Sequence, residues 1–289
     1  MKRILITGKH SFVGTSFEKY LAEYGGYTVD TLDMLDSGWR EYDFSGYDAV
    51  FHVAGIAHSD SGKISAEREH LYYAVNTDLT AEVAGKAKAD GAGQFIFMSS
   101  SIVYGDSAPI GKPKLITKDT APTPANCYGN SKLLAEERIL PLSDDGFKVA
   151  VVRPPMIYGK GGKGNFAVLQ KIAGKIPLFP RVKNERSMLY IDNLCELVRL
   201  LIENGESGIF HPQNREYTNT SEMVRMIAEA NGRRVRLLPG FTPLLRLFAL
   251  FTGFVNKAFG NLTYDKEISE YKCDYCRYSL EESIKEIYK

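Results

Sequence analysis

Cysteine is scarce in this chain. Cys127, Cys195, Cys273 and Cys276 are spread over 289 positions. They are too few for a disulfide-stapled fold, so a reducing cytoplasmic setting is expected. The C-x-x-C pair at 273–276 has no second ligand pair nearby, and incidental surface cysteines are the expected reading there. A surplus of charge of one sign is also missing. Lys plus Arg number 36 against 35 for Asp plus Glu, which removes the electrostatic reason to invoke a nucleic-acid partner. Long apolar runs are lacking too. The longest one without charge lies between Arg246 and Lys257, far below the roughly 20 residues a membrane span needs, so no transmembrane segment is expected. The apolar run after Met1-Lys2-Arg3 ends at Gly8, too short for a signal peptide. Neither internal repeats nor low-complexity tracts occur.

What remains is the composition of a globular protein, 44% hydrophobic and 25% charged, with strands and helices in alternation. RILIT at 3–7 predicts a first strand. Val13, Phe17, Tyr20 and Leu21 predict a helix from Val13 to Tyr24, which Gly25-Gly26 ends. A second strand, YTVDTL, leads to Asp33. Further strands are predicted at 48–55, 94–100 and 148–154, with helices at about 71–90 and after Tyr128. This rhythm predicts an α/β fold around a doubly wound parallel sheet. The strands are almost wholly apolar, as burial on both faces requires. Past residue 155 Gly, Pro and short mixed segments become frequent. The expected division is a dinucleotide-binding domain over 1–154, to which later segments return, and a smaller C-terminal substrate-binding lobe over 155–289. In LLRLFALFTGFVNKAFG at 244–260 the apolar residues fall at helical spacing. Packing on the sheet or lining the cleft is the main reading of this segment, and docking on a membrane face is the other.

Two stretches carry chemistry. ITGKHSFVG at 6–14 has the look of a phosphate-binding turn between the first strand and the first helix. Gly8 makes the turn, Gly14 lets helix and strand pack closely, and the helix start faces a pyrophosphate. Ser11 stands where glycine is expected. With negative φ it fits without strain, whereas positive φ costs about 1–2 kcal/mol. Asp33, nineteen residues after Gly14, is placed to accept from ribose hydroxyls and favours NAD over NADP. Lys9 and His10 blur that preference and leave NADP open. The second stretch is Tyr128-Gly-Asn-Ser-Lys132, with tyrosine and lysine on one helical face. A phenol of ordinary pKa about 10 is a poor base at neutral pH. A nearby ammonium is expected to lower that pKa, so that Tyr128 exchanges a proton with a sugar or alcohol oxygen while hydride moves at carbon. MSSSIVYG at 98–105 leaves the fourth strand on the same edge and offers a hydroxyl beside the tyrosine.

Gly8…Gly14, Asp33, HVAG at 52–55, Asn76, SSSIVYG, YGNSK, RPPMIYG, RSMLYIDN at 186–193 and YSLEESIKEIY at 278–288 occur in the order seen in extended short-chain dehydrogenases/reductases. The chain resembles their NAD-dependent epimerase/dehydratase family along its whole length. The resemblance implies a Rossmann-type fold and a nucleotide-sugar substrate. It implies Ser100 as catalytic hydroxyl, Tyr128 as acid/base, and Lys132 as partner of Tyr128 and of the nicotinamide ribose. Along the cofactor it places Gly8, Ser11, Phe12, Val13, Gly14, Asp33, Ala54, Gly55, Asn76 and Pro154, with Asp43 and Phe44 at the adenine. On the substrate it places Met156, Asn165 and Arg186, the last gripping phosphates through paired hydrogen bonds. The extra Asp-Glu pair of the family's dehydratases is replaced by Ser101 and Ile102, which disfavours dehydration and leaves 4-epimerase and 4-keto reductase open. A redox sensor without turnover is the alternative, and the presence of both Tyr128 and Lys132 counts against it. Pairing of helices 71–90 and 128–142 into a homodimer is the expected assembly.

Overall fold

The computed structural model describes residues 1–56, 64–162, 164–249 and 253–289. At its centre is a sheet of six strands, β1 (Lys2–Thr7), β2 (Tyr27–Leu32), β3 (Ala49–His52), β4 (Gln94–Met98), β5 (Lys148–Val152) and β6 (Gly208–Phe210). Their order is β6-β5-β4-β3-β1-β2 and every pairing is parallel. β1 has β2 on one side and β3 on the other, so strand order reverses there, and a ligand crevice opens at the carboxyl ends of such strands.

Three strands stop short of their predicted ends, β5 at Val152 rather than at residue 154 and two others for one reason. The amides of Val53 and Ala54 both turn to the Thr7 carbonyl, at 3.0 and 2.9 Å, which ends β3 at His52 rather than at residue 55. Ser99 donates its amide to Val152 at 2.8 Å and Ser100 caps the next turn, which ends β4 at Met98 rather than at residue 100. In each case the chain leaves the ladder where the crevice begins.

The helices are α1 (Phe12–Tyr24), α2 (Ala66–Tyr73), α3 (Leu79–Ala89), α4 (Cys127–Ile139), α5 (Asn165–Ala173), α6 (Ile191–Glu203), α7 (Thr220–Ala230), α8 (Thr242–Phe248), α9 (Gly253–Phe259) and α10 (Leu280–Ile287). Alternate strand residues feed two cores. Ile4, Ile6, Phe51 and Ile96 join the cluster that includes α1 and α6, whereas Leu5, Val50, Phe95 and Phe97 join the one that includes α3 and α4. The helix expected at 71–90 is two helices. α2 begins at Ala66, and a π-helical turn over Ala74–Asp78 joins it to α3. Although α6 lies beyond residue 154, it packs on α1. There Tyr20 Oη donates to Glu196 at 2.8 Å.

The apolar segment near the C-terminus divides. Val255 and Phe259 of α9 are buried, and Leu245 and Ala249 pack against the core. Phe241, Leu244, Leu247 and Phe248 are exposed, against the expectation that this run packs on the sheet or lines the cleft. Leu250, Phe251 and Thr252 lie outside the described residues. Cys276 corrects the reading of 273–276 as surface cysteines. It is buried, and its thiol donates to the Gln213 carbonyl at 3.4 Å. Among the described residues no cluster of His, Cys, Asp and Glu is arranged to hold a metal ion, and no helix is long and apolar enough to cross a membrane.

Candidate active site

Gly8 has φ +130, and a Cβ there would come 2.7 Å from the Ala54 amide nitrogen, so only glycine fits. At Gly14 an added Cβ would meet Ser11 Oγ at 2.6 Å and Ile6 Cγ2 at 3.1 Å, which is the close strand–helix approach the sequence predicts. Ser11 is unstrained. Its φ of −70 and ψ of 146 are extended, and its Oγ accepts from the Gly14 amide at 3.0 Å as the N-cap of α1. The left-handed residue of the turn is His10, at φ 64, a residue type that tolerates this region better than most. Ser11→Ala is therefore expected to cost about 1 kcal/mol of stability and Ser11→Gly only a few tenths, read from urea unfolding. A glycine variant less stable than the alanine variant would show that capping is not the role of Ser11.

Phe12 lies under the loop that follows residue 158, where Cβ atoms added at Gly159 and Gly162 would sit 3.3 and 3.4 Å from its Cζ. Val13 packs partly buried against the core. Asp33 directly follows β2 and accepts from the Leu35 amide at 3.0 Å. Beside it a cleft of about 370 Å³ is lined by Met34, Leu35, Trp39, Ala74 and Leu79. Asp43 and Phe44 are engaged within the protein. The Asp43 carboxylate accepts from Ser45 N and Oγ, both at 2.8 Å. The Phe44 ring is fully buried and its amide donates to Asp90 at 3.0 Å. The side chain of Phe44 is thus core, because the chain there packs against β1 and β3 before any ligand can reach it.

At the other end of the crevice three elements meet. Ser100 accepts from the Ile102 amide at 3.3 Å, and its hydroxyl stands close enough to the Tyr128 phenol to act on its pKa. Asn126 caps α4 by accepting from the Gly129 amide at 2.9 Å. A Cβ at Gly129 would lie 2.8 Å from the Ile102 carbonyl oxygen, so this glycine lets α4 press onto the 101–104 turn and brings Tyr128 to Ser100. The π-helical turn aims Asn76 inward. Asn76 is fully buried, accepting from Ile56 N at 2.8 Å and donating to Ile56 O at 3.2 Å and to Ser131 Oγ at 3.0 Å. Lys132 is buried, donates to the Met98 carbonyl at 2.9 Å and lies 4.5 Å over the Phe97 ring. A Cβ at Gly55 would come 2.9 Å from Asn76 Oδ1 and 3.1 Å from Lys132 Nζ. These glycines let the backbone at Gly8 and Gly55 lie against Ala54, Asn76 and Lys132, where any side chain would clash. They stand at the carboxyl edge of the sheet, where a fold of this kind takes a dinucleotide.

The expected lowering of the Tyr128 pKa does not occur in the protein alone. Burial pushes it up to about 12, assisted by Tyr72 and opposed by the Ser100 hydroxyl. Lys132 is not among the groups that move it; burial pulls the pKa of Lys132 itself down to about 8, with Glu136 opposing. A sign follows for stability. Between about pH 8 and 10.5 the folded state holds fewer protons at Lys132 than the unfolded chain does. The stability of the wild type relative to Lys132→Met is therefore expected to rise with pH across that window. A flat difference in unfolding free energy would contradict the assignment.

Pro154 is buried and its carbonyl accepts from Ser101 N at 2.8 Å. Met156 is partly buried and pairs in register with Met188. Asn165 opens α5 exposed, and Gly164 at φ 78 is the cap with no side-chain bond, so Asn165 does not serve as a cap. The Arg186 guanidinium donates to the main-chain oxygens of Lys257 and Ala258 and to Ser107 Oγ. Among the described residues no carboxylate pairs with it, and burial lowers its pKa.

One buried network escaped sequence reasoning. Glu136 is bonded by Ser99 Oγ and by the Arg153 guanidinium. Arg153 also donates to Tyr104 Oη at 2.6 Å, and Tyr104 Oη meets His211 Nε2 at 2.8 Å. Glu136 lies one helical turn after Lys132, a spacing that was visible, but its partner just past the end of β5 was not.

Comparison with known proteins gives the same reading. The model of the NAD dependent epimerase/dehydratase family matches residues 4–212. UDP-glucose 4-epimerase of Vibrio cholerae is 32% identical, over 91% of this chain and 87% of that protein. UDP-glucuronic acid 4-epimerase from Bacillus cereus in complex with NAD superposes with a TM-score of 0.74 at 17% identity, covering 99% of this chain and 97% of that one. dTDP-4-dehydrorhamnose reductase from Bacillus anthracis in complex with NADP superposes at 0.73 and 19% identity, covering 100% and 99%. With the parallel sheet, the glycine turn after β1 and the Ser100, Tyr128 and Lys132 side chains at its carboxyl edge, these matches establish that the chain belongs to the NAD dependent epimerase/dehydratase family.

Proposed function

We propose that the chain is a nucleotide-sugar 4-epimerase acting at C4 of a UDP-type hexose, with NAD as its resident cofactor, in the supply of sugars for surface polysaccharides. The placement of the Ser100 hydroxyl beside the Tyr128 phenol carries this reading. It sets a proton donor and a second hydroxyl at one point on the carboxyl edge, as proton exchange with a single sugar oxygen requires. The similarity to the Vibrio cholerae 4-epimerase supports the choice of reaction.

When bound, the nicotinamide accepts hydride and returns it. Tyr128 moves the proton at the C4 oxygen, Ser100 orients that oxygen, and Lys132 with Asn76 fixes the ribose end of the cofactor. Gly8, Ser11, Phe12, Val13 and Gly14 hold the pyrophosphate, and Asp33 holds the adenosine ribose. Arg186, a half-buried cation without a carboxylate partner among the described residues, takes the substrate diphosphate. Met156 and Asn165 flank the sugar. Ser101 and Ile102 supply neither acid nor base after Ser100, which speaks against dehydration. A homodimer through α2–α3 and α4 is part of this reading, and sedimentation velocity tests it.

The experiment is to purify the protein without added nucleotide, denature it, and identify what is released by mass spectrometry. Native protein is then incubated with UDP-glucose. Near-stoichiometric NAD and UDP-galactose are the expected products. Empty protein that binds NADH or NADPH would favour the exchanging 4-keto reductase. Bound cofactor with no conversion of any 4-hydroxy or 4-keto nucleotide sugar would favour the sensor. No cofactor binding at all would overturn the proposal.

A further inference from the structure

The surface around α8 is apolar at its centre and basic around it. Phe241, Leu244, Leu247 and Phe248 are 42%, 47%, 54% and 52% exposed. Isolated exposed apolar residues need no explanation, but four within eight positions do. Ile176 and Leu178 are exposed as well, and Leu178 pairs with Arg236 on the strand that precedes α8 in the chain. From Asn231 to Tyr264 the sequence holds Arg233, Arg234, Arg236, Arg246 and Lys257 and no Asp or Glu. All five cations are exposed. None forms an ion pair among the described residues, unlike Arg40 with Glu82 or Arg225 with Glu222. The remainder of the chain carries 31 basic against 35 acidic residues, so positive charge is concentrated on this segment.

We propose that α8 and the cations around it form a membrane contact that seats the protein on an anionic lipid bilayer. A short helix with aromatic and leucine side chains outward and arginine beside them has the composition of an interfacial anchor. Each basic residue near an anionic surface adds attraction that salt screens. A second copy of this chain is a poor occupant, because it would bring five like charges against five. The contact also has a functional position. Arg186, the cation proposed for the substrate diphosphate, hangs from the main chain of α9, so a seated molecule holds that end of its site beside the membrane. The family model stops at residue 212, and the contact lies beyond it. The inference does not depend on which sugar reaction the site performs.

The test is sedimentation of the full chain with phosphatidylcholine vesicles, with and without about one-third phosphatidylglycerol. Sedimentation velocity without lipid is run alongside. The wild type is expected to pellet with the anionic vesicles and to be released as salt is raised. The pair Leu247→Glu and Phe248→Glu, both exposed and so compatible with the fold, is expected to reduce vesicle partition by about tenfold or more. Unchanged circular dichroism and cofactor binding confirm that this pair folds. A second variant, Arg233→Ser with Arg234→Ser, is expected to weaken binding to anionic vesicles alone. Failure of the wild type to pellet with anionic vesicles, or undiminished pelleting of the Glu pair, overturns the proposal. So does a change in oligomeric state of that pair, which would make the face an interface between copies.

Discussion

Tyr128→Phe is expected to lower kcat by about 10²–10⁴-fold and to leave binding of the dinucleotide intact. Phenylalanine keeps the ring and its packing 6.1 Å from the Tyr72 ring. It removes the hydroxyl that faces Ser100. The phenol is protonated at neutral pH, since burial holds its pKa near 12, so it enters the reaction as a donor. In the direction that removes a sugar proton, the same oxygen must be made a base by charge that arrives with the bound cofactor and substrate. Loss of the hydroxyl therefore blocks both directions. Steady-state kinetics with a nucleotide sugar and equilibrium titration with NADH separate the two effects. Full activity in the variant would remove Tyr128 from the mechanism. Loss of cofactor binding along with activity would make its role structural.

Arg153→Met is expected to be the most damaging single change to stability, at about 3–5 kcal/mol. Glu136 is 1% and Arg153 5% exposed, so removing the guanidinium leaves a carboxylate buried without its counter-charge. It also leaves Tyr104 with one partner fewer. His211 does not replace the missing charge. Burial, the larger of the two causes that hold its pKa near 4 in the wild type, persists in the variant. Combining Arg153→Met with Glu136→Leu is expected to recover much of the loss, because a well-packed apolar pair replaces a desolvated ionic one at little net cost. Thermal unfolding reads this as a fall in Tm on the order of 10 °C for the single variant. A double variant no better than the single would place the cost in packing rather than in charge. Ser99 bonds Glu136 and precedes Ser100, so kcat is expected to fall along with stability.

The sequence by itself determined the sheet and the active-site cluster. Ile4, Ile6, Phe51 and Ile96 announce buried strands because alternation and apolarity are local properties. Gly8, Gly14 and the Tyr128–Lys132 pair are legible because a turn of positive φ and one helical turn fix side chains within a few residues. The nature of Ser11 was legible only as a question. Its φ depended on the strain falling on His10 instead.

Only the tertiary structure decided the rest. Helical periodicity marks α8 as apolar but does not say which of its residues find a partner, and the fold covers Leu245 while leaving Leu247 and Phe248 in solvent. Phe44 became core because β1 and β3 closed around it. The protonation of Tyr128 was set by desolvation, which depends on everything packed about it and not on the lysine one helical turn away. Arg153 meets Glu136 across 17 residues, and Tyr104 meets His211 across 107. Contacts at such separation leave no periodic trace, because they are specified by the crossing of whole elements rather than by neighbours along the chain.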